Sequence, residues 1–220
     1  MMLLLFAALS ILHIILIIKG ASSLTLFTKP LLIPTLLIAY ATATGLKNSF
    51  SRLFATALIF CWAGDVLLMK NEYFIYGLVS FLTGHIFYIL AIATISGRHF
   101  IAQKPYLLVP VILYLAIFLW FLLPYLQALK IPVVLYALVI NCFLVVCLNL
   151  FGKLPRRTAG YFFAGATLFV ISDSLLAVNT FAVSFPLSGA WVMLTYCAAQ
   201  YLLVKGVITY HLSVSRNSIE

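Results

Sequence analysis

Charge is the scarcest feature of this sequence: 8% of its 220 residues are Asp, Glu, Lys or Arg, and only four of them are acidic. A water-soluble domain carries about 25% charged residues to solvate its surface, so a globule in water is excluded. Cysteine pairing is missing as well. Cys61, Cys142, Cys147 and Cys197 all lie inside apolar runs and form no CxxC pair, so neither a zinc site nor a disulfide framework is indicated. No GxSxG elbow, HExxH helix or phosphate-binding P-loop occurs. The net charge of +9 comes without any basic patch interleaved with aromatics, which removes nucleic acid as a partner.

Apolar residues make up 65% of the chain, in long unbroken runs such as Leu3 to Ile18 and Leu107 to Leu123. Lipid is the solvent that tolerates such a surface, and in lipid only helices or closed barrels satisfy their backbone groups. Barrel strands would alternate polar and apolar residues; these runs do not. The expected fold class is all-α, a polytopic helix bundle forming one transmembrane domain over residues 1–220. The first run is followed by Ala21, Ser22 and Ser23 but has no positive charge ahead of it, so it reads as a span and not as a signal peptide.

A span needs about 17–25 apolar residues. That rule gives eight candidates, near residues 2–18, 30–45, 53–69, 73–95, 106–123, 132–151, 159–178 and 189–210. In this reading Pro30 sits in the first turn of the second span, where its missing N–H costs nothing, and Lys29 precedes it. Eight spans put both ends of the chain on one side. Lys47, Arg52, Arg98, Lys104, Lys153, Arg156, Arg157, Lys205 and Arg216 fall on that side; Lys19, Lys29, Lys70 and Lys130 fall on the other. The larger group marks the cytoplasm, and a bacterial cytoplasmic membrane is the expected location.

Of the four acids, Glu220 is the last residue and Glu72 lies in a short loop beside Lys70. Asp65 and Asp173 instead interrupt apolar helices, where an ionisable group costs at least ~2.5–3.5 kcal/mol on insertion scales. Each is expected about two-thirds along a span running outward, so the two carboxyls share a depth in the outer half of the bilayer. Lys29 lies on the same side. His85 and Tyr88 share a helical face, as do Tyr196 and Gln200, and Asn141 lies near mid-membrane. A polar pocket in the outer half would collect all of these groups; each taken alone can also be read as a hydrogen bond between helices. GDVLL around Asp65 is echoed by SDSLL around Asp173, and Lys29-Pro30 by Lys130-Ile131-Pro132, as two parallel four-helix halves would require.

The series KPLLIP, FCWAGDVLLM, FIYGLVSFLTGHIFYIL, GATLFVISDSLLA and TYCAAQYL resembles the YhhN-like lysoplasmalogenase family, in order and spacing, over nearly the whole chain. The resemblance implies a membrane hydrolase that cleaves the vinyl ether of a lysoplasmalogen to a fatty aldehyde and glycerophosphoethanolamine or glycerophosphocholine, with no cofactor. It implies functional roles for Lys29, Asp65, His85, Asp173, Tyr196 and Gln200. The residues fit that chemistry: paired carboxyls can divide into a protonated acid and an ionised base, and a lysine can hold a phosphate. In this reading Asp65 and Asp173 are catalytic. Lys29, His85, Tyr88, Asn141, Tyr196 and Gln200 bind the lysophospholipid, and the bilayer is the other partner. The alternative is a proton-coupled transporter or lipid-binding permease built on the same aspartates. A C-terminal fusion reporter should give a cytoplasmic signal; a periplasmic one would overturn the count of spans.

Overall fold

A computed structural model describes residues 1–95 and 100–217, with side chains up to residue 213. Arg98 and Glu220, and the side chain of Arg216, lie outside the described residues. Nine helices follow one another without a strand among the described residues: α1 (Met2–Ile18), α2 (Ser22–Thr44), α3 (Ser49–Leu67), α4 (Phe74–Ile95), the one-turn α5 (Phe100–Gln103), α6 (Leu108–Leu122), α7 (Lys130–Asn149), α8 (Arg156–Ala177) and α9 (Ser188–Asn217). Seven of these, with their flanking turns, are long and apolar enough to cross a membrane, and α1 is a shorter apolar helix of 17 residues. The chain is an all-α polytopic membrane bundle.

The lipid-facing surface is consistent with that class. Trp120 is 79% exposed, Ile131 82% and Ile112 61%, a belt that would aggregate in water. Inside, Phe54, Tyr88, Phe143, Phe162 and Phe169 are fully buried. Tyr88 of α4 stacks on Phe143 of α7 at 5.3 Å between centroids, tying the two halves of the bundle together. Within each half one helix pair packs closely on a small residue. A Cβ on Gly84 of α4 would lie 3.2 Å from the Ala57 carbonyl of α3, and one on Gly165 of α8 would lie 3.1 Å from the Ala199 carbonyl of α9. Small residues let backbones approach where lipid supplies no hydrophobic drive.

Two boundaries correct the sequence reading. The helix α2 starts at Ser22 and not at residue 30, so Pro30 and Pro34 lie inside it and Lys29 is an intrahelical residue. Gly20, at φ +69°, makes the tight turn from α1. The physical reason α2 survives two prolines is visible at Pro30. Pro34 has no N–H to give to the Pro30 carbonyl four residues back, and the Trp62 indole of α3 donates to that oxygen at 2.9 Å. Neighbouring helices re-satisfy backbone groups freed by proline in this way.

The second correction is at α3, which ends at Leu67 instead of 69. Asp65 therefore sits in the last turn and not two-thirds along. At the other end Asn48 and Ser51 form a reciprocal capping box that starts the helix at Ser49. At the far end of α8 the winding loosens into a π turn, Val178–Ala182.

Trp62→Phe should lower stability in detergent by about 1–3 kcal/mol, the cost of stranding a carbonyl that hydrocarbon cannot satisfy, read from thermal unfolding. Because Pro34→Ala supplies the missing N–H, Trp62→Phe should cost less in that background. Equal costs in both backgrounds would refute the account of α2.

Candidate active site

Asp65 is 3% exposed and has partners from two other helices. From α2 the Lys29 ammonium lies 3.9 Å from Oδ1, with its side chain 21% exposed. From α9 the Tyr196 hydroxyl donates to Oδ2 at 2.6 Å. Behind Tyr196 the polar chain continues: Gln200 Nε2 donates weakly to the Tyr196 oxygen at 3.4 Å, and the Tyr88 hydroxyl donates to Gln200 Oε1 at 2.7 Å. A carboxyl on α3 is thereby linked to α2, α9 and α4.

Asp173 of α8 is held differently. Its Oδ2 accepts a short hydrogen bond from the Tyr136 hydroxyl of α7, and no ion pair to it is found among the described residues. The flanking serines fix the helix around it. Ser172 donates to the Val192 carbonyl of α9 at 3.0 Å, and Ser174 donates to Val170 within α8 while pairing with the Tyr114 hydroxyl of α6. In both halves the helix preceding the aspartate's own helix supplies a partner: Lys29 for Asp65, Tyr136 for Asp173. The echo of GDVLL in SDSLL extends to this arrangement, but the counterpart of Lys29 is Tyr136 and not Lys130.

Both carboxyls line one cavity of about 140 Å³, together with Lys29, Tyr136 and Tyr196. Apart from Ser172 and Thr180 the rest of its wall is apolar, with Leu78, Phe81, Val133 and Phe181 prominent. Of the expected site residues, Lys29, Asp65, Asp173 and Tyr196 thus meet at one surface. Tyr88 and Gln200 stand behind Tyr196, off the cavity. His85 is fully buried and also off it. Its Nδ1 lies 2.8 Å from the Phe81 carbonyl, which can only accept, so Nδ1 carries the proton and Nε2 is left with a lone pair. Among the described residues that Nε2 has no hydrogen-bond partner, and the ring packs on Phe169 at 4.5 Å and Tyr136 at 5.6 Å between centroids. Asn141 lines a smaller cavity of about 30 Å³ together with Asp173, Tyr136, Tyr114 and Ser174; its Nδ2 donates to the Ala137 carbonyl, and among the described residues its Oδ1 has no partner.

Tyr136 is the site residue that sequence reasoning missed. The signal was present: a tyrosine hydroxyl in an apolar helix needs an acceptor, and few are available. Among the described residues no three of His, Cys, Asp and Glu gather in a way that would hold a metal ion.

A membrane bundle with two carboxyls on one small cavity, one buried beside a cation and one half-buried beside a phenol, belongs to the class of polytopic membrane proteins that keep ionisable groups among their helices. The family model described as the YhhN family matches residues 24–207, and the chain belongs to that family. It is 32% identical over 172 residues to lysoplasmalogenase TMEM86B of Mus musculus, covering 78% of this chain and 70% of the relative. It is 33% identical over 173 residues to the Rattus norvegicus protein of that name, covering 78% and 67%. To the Homo sapiens protein it is 31% identical over 163 residues, covering 74% and 66%. No solved structure matches.

Tyr196→Phe should cost about 1–3 kcal/mol of stability, since it strips the buried Asp65 carboxyl of its donor, and Tyr136→Phe should cost less, since Asp173 is only half-buried. Tyr88→Phe should cost about as much as Tyr196→Phe by stranding Gln200 Oε1, yet leave the bonds to Asp65 in place. Thermal unfolding in detergent gives the costs. A hydroxyl whose loss changes nothing would contradict the hydrogen bond assigned to it.

Proposed function

We propose that this protein is a lysoplasmalogenase-like hydrolase that cleaves the vinyl ether of a lysoplasmalogen, releasing a fatty aldehyde and glycerophosphoethanolamine or glycerophosphocholine. The observation that carries the reading is the pair of carboxyls on one cavity with unlike partners. The names of the mammalian relatives support it. Hydrolysis of a vinyl ether needs a positioned acid to protonate carbon and a carboxylate to steady positive charge and orient water.

The unlike partners also support a division of labour. Asp65, beside the Lys29 ammonium, serves as the carboxylate. Asp173, bonded to a neutral phenol, serves as the acid. Asp173 gives its proton to the β-carbon of the vinyl ether, and the double-bond electrons leave an oxocarbenium ion. Water adds to the carbon next to oxygen while Asp65 takes one of its protons. In the resulting hemiacetal, Asp65 returns that proton to the glycerol oxygen as the C–O bond breaks, and Asp173 recovers a proton from the hemiacetal hydroxyl. Both carboxyls end as they began.

A cavity of about 140 Å³ encloses only the reacting segment, so the alkenyl chain must extend past Leu78 and Phe181 between helices. Lys29 is within reach of a phosphate at headgroup level. We place both chain ends in the cytoplasm by the positive-inside rule, which puts this site in the outer half of the bilayer. Transporters often bind at broken helices, whereas α2 runs continuous through both prolines, which favours an enzyme over a permease.

The test is aldehyde release from a lysoplasmalogen by purified protein in detergent, where no gradient exists. Asp65→Asn and Asp173→Asn should each lower kcat by at least about 100-fold. Wild-type turnover that survives both substitutions would sink the mechanism.

A further inference from the structure

A second cavity, of about 310 Å³, adjoins the reacting one and shares Lys29, Leu176, Val192 and Met193 with it. It lies at the end of the bundle where α1 turns into α2 and where the π turn leads toward α9. Four polar residues that the mechanism does not use line it: His13 of α1, Thr25 of α2, Asn179 of the π turn and Ser188 at the start of α9. Among the described residues no carboxylate and no Phe, Tyr or Trp ring appears in its lining. An ammonium headgroup would want one or the other, as a counter-charge or as a cation–π face. A hydroxyl, an amide and one lysine suit a phosphate instead.

We infer that this cavity is the glycerophosphoryl subsite, in which Lys29, Asn179 and Ser188 hold the phosphate of the lysolipid and His13 accepts from its glycerol hydroxyl; the Thr25 hydroxyl, also in the lining, already donates to the Ser22 carbonyl at 2.7 Å. The inference rests on the lysolipid reading above and names where its polar end is bound. His13 is suited to that part. The Thr28 hydroxyl lies 2.7 Å from His13 Nδ1 and 3.2 Å from the Leu24 carbonyl, and when it donates to that carbonyl it accepts from Nδ1. With the proton on Nδ1, Nε2 presents a lone pair, which suits a hydroxyl and not an anion. The π turn divides the two chambers: Asn179 lines the polar one, and its neighbours Thr180 and Phe181 line the reacting one. Single π turns inside helices recur at functional sites, and this one turns consecutive side chains toward opposite ends of one ligand.

The test is calorimetric binding, without turnover, of two uncleavable probes to purified protein: a 1-O-alkyl lysophosphatidylethanolamine and the phosphate-free 1-O-alkylglycerol. Asn179→Asp keeps the size of the side chain and sets a like charge against the phosphate. It should weaken the phospholipid by about tenfold or more while leaving the alkylglycerol within about twofold. Ser188→Ala should act in the same direction by removing one donor. If both probes weaken alike, the effect is on folding or chain binding and the assignment falls; if neither changes, the phosphate is held elsewhere. A phospholipid-selective loss in a protein that releases no aldehyde would keep the subsite and overturn the hydrolase reading.

Discussion

A carboxyl group held among apolar helices must find its hydrogen bonds inside the protein, since hydrocarbon offers none. Two such groups govern how this bundle is put together. Asp65 requires α2 and α9 to stand beside the last turn of α3, because the ammonium comes from one and the phenol from the other. Asp173 requires α7 beside α8 for the same reason. The close packing at Gly84 and Gly165 brings the helices near enough for side chains of ordinary length to make these bonds. Lipid drives helices together only weakly, so polar contacts of this kind have unusual weight in deciding which helix lies beside which.

The division between legible and illegible features follows from the same physics. An ionisable residue in an apolar run stands out as a single letter, so Asp65, Asp173 and Lys29 could be picked out before any fold was known. The run lengths located the helices, and Tyr196 and Gln200 were paired correctly from their spacing. What could not be read was the facing of each helix. In a soluble protein a polar stripe marks the outer side; here lipid and core are equally apolar, and nothing in α7 distinguishes the side carrying Tyr136 from the side carrying Asn141. For that reason Asn141, expected with both aspartates in one pocket, shares a small cavity with only one of them, Asp173. His85, expected to face the same pocket, is packed among rings off the cavity that holds both carboxyls.

The start of α2 was illegible for a different cause. Lys29-Pro30 has the form of a helix opening, and local rules place proline in the first turn. The helix runs on through Pro34 because a residue from another helix, Trp62, supplies what Pro34 withholds. No local rule contains that information.

The Trp62 bond has a mechanical corollary. Two helices joined at one backbone oxygen cannot slide along each other without breaking the joint, so the height of α2 against α3 is set one residue away from Lys29. The ammonium is therefore held at its level by the scaffold as well as by its attraction to Asp65. A cation supported in this way need not grip its partner closely, and a 3.9 Å separation leaves it room to turn toward a second anion.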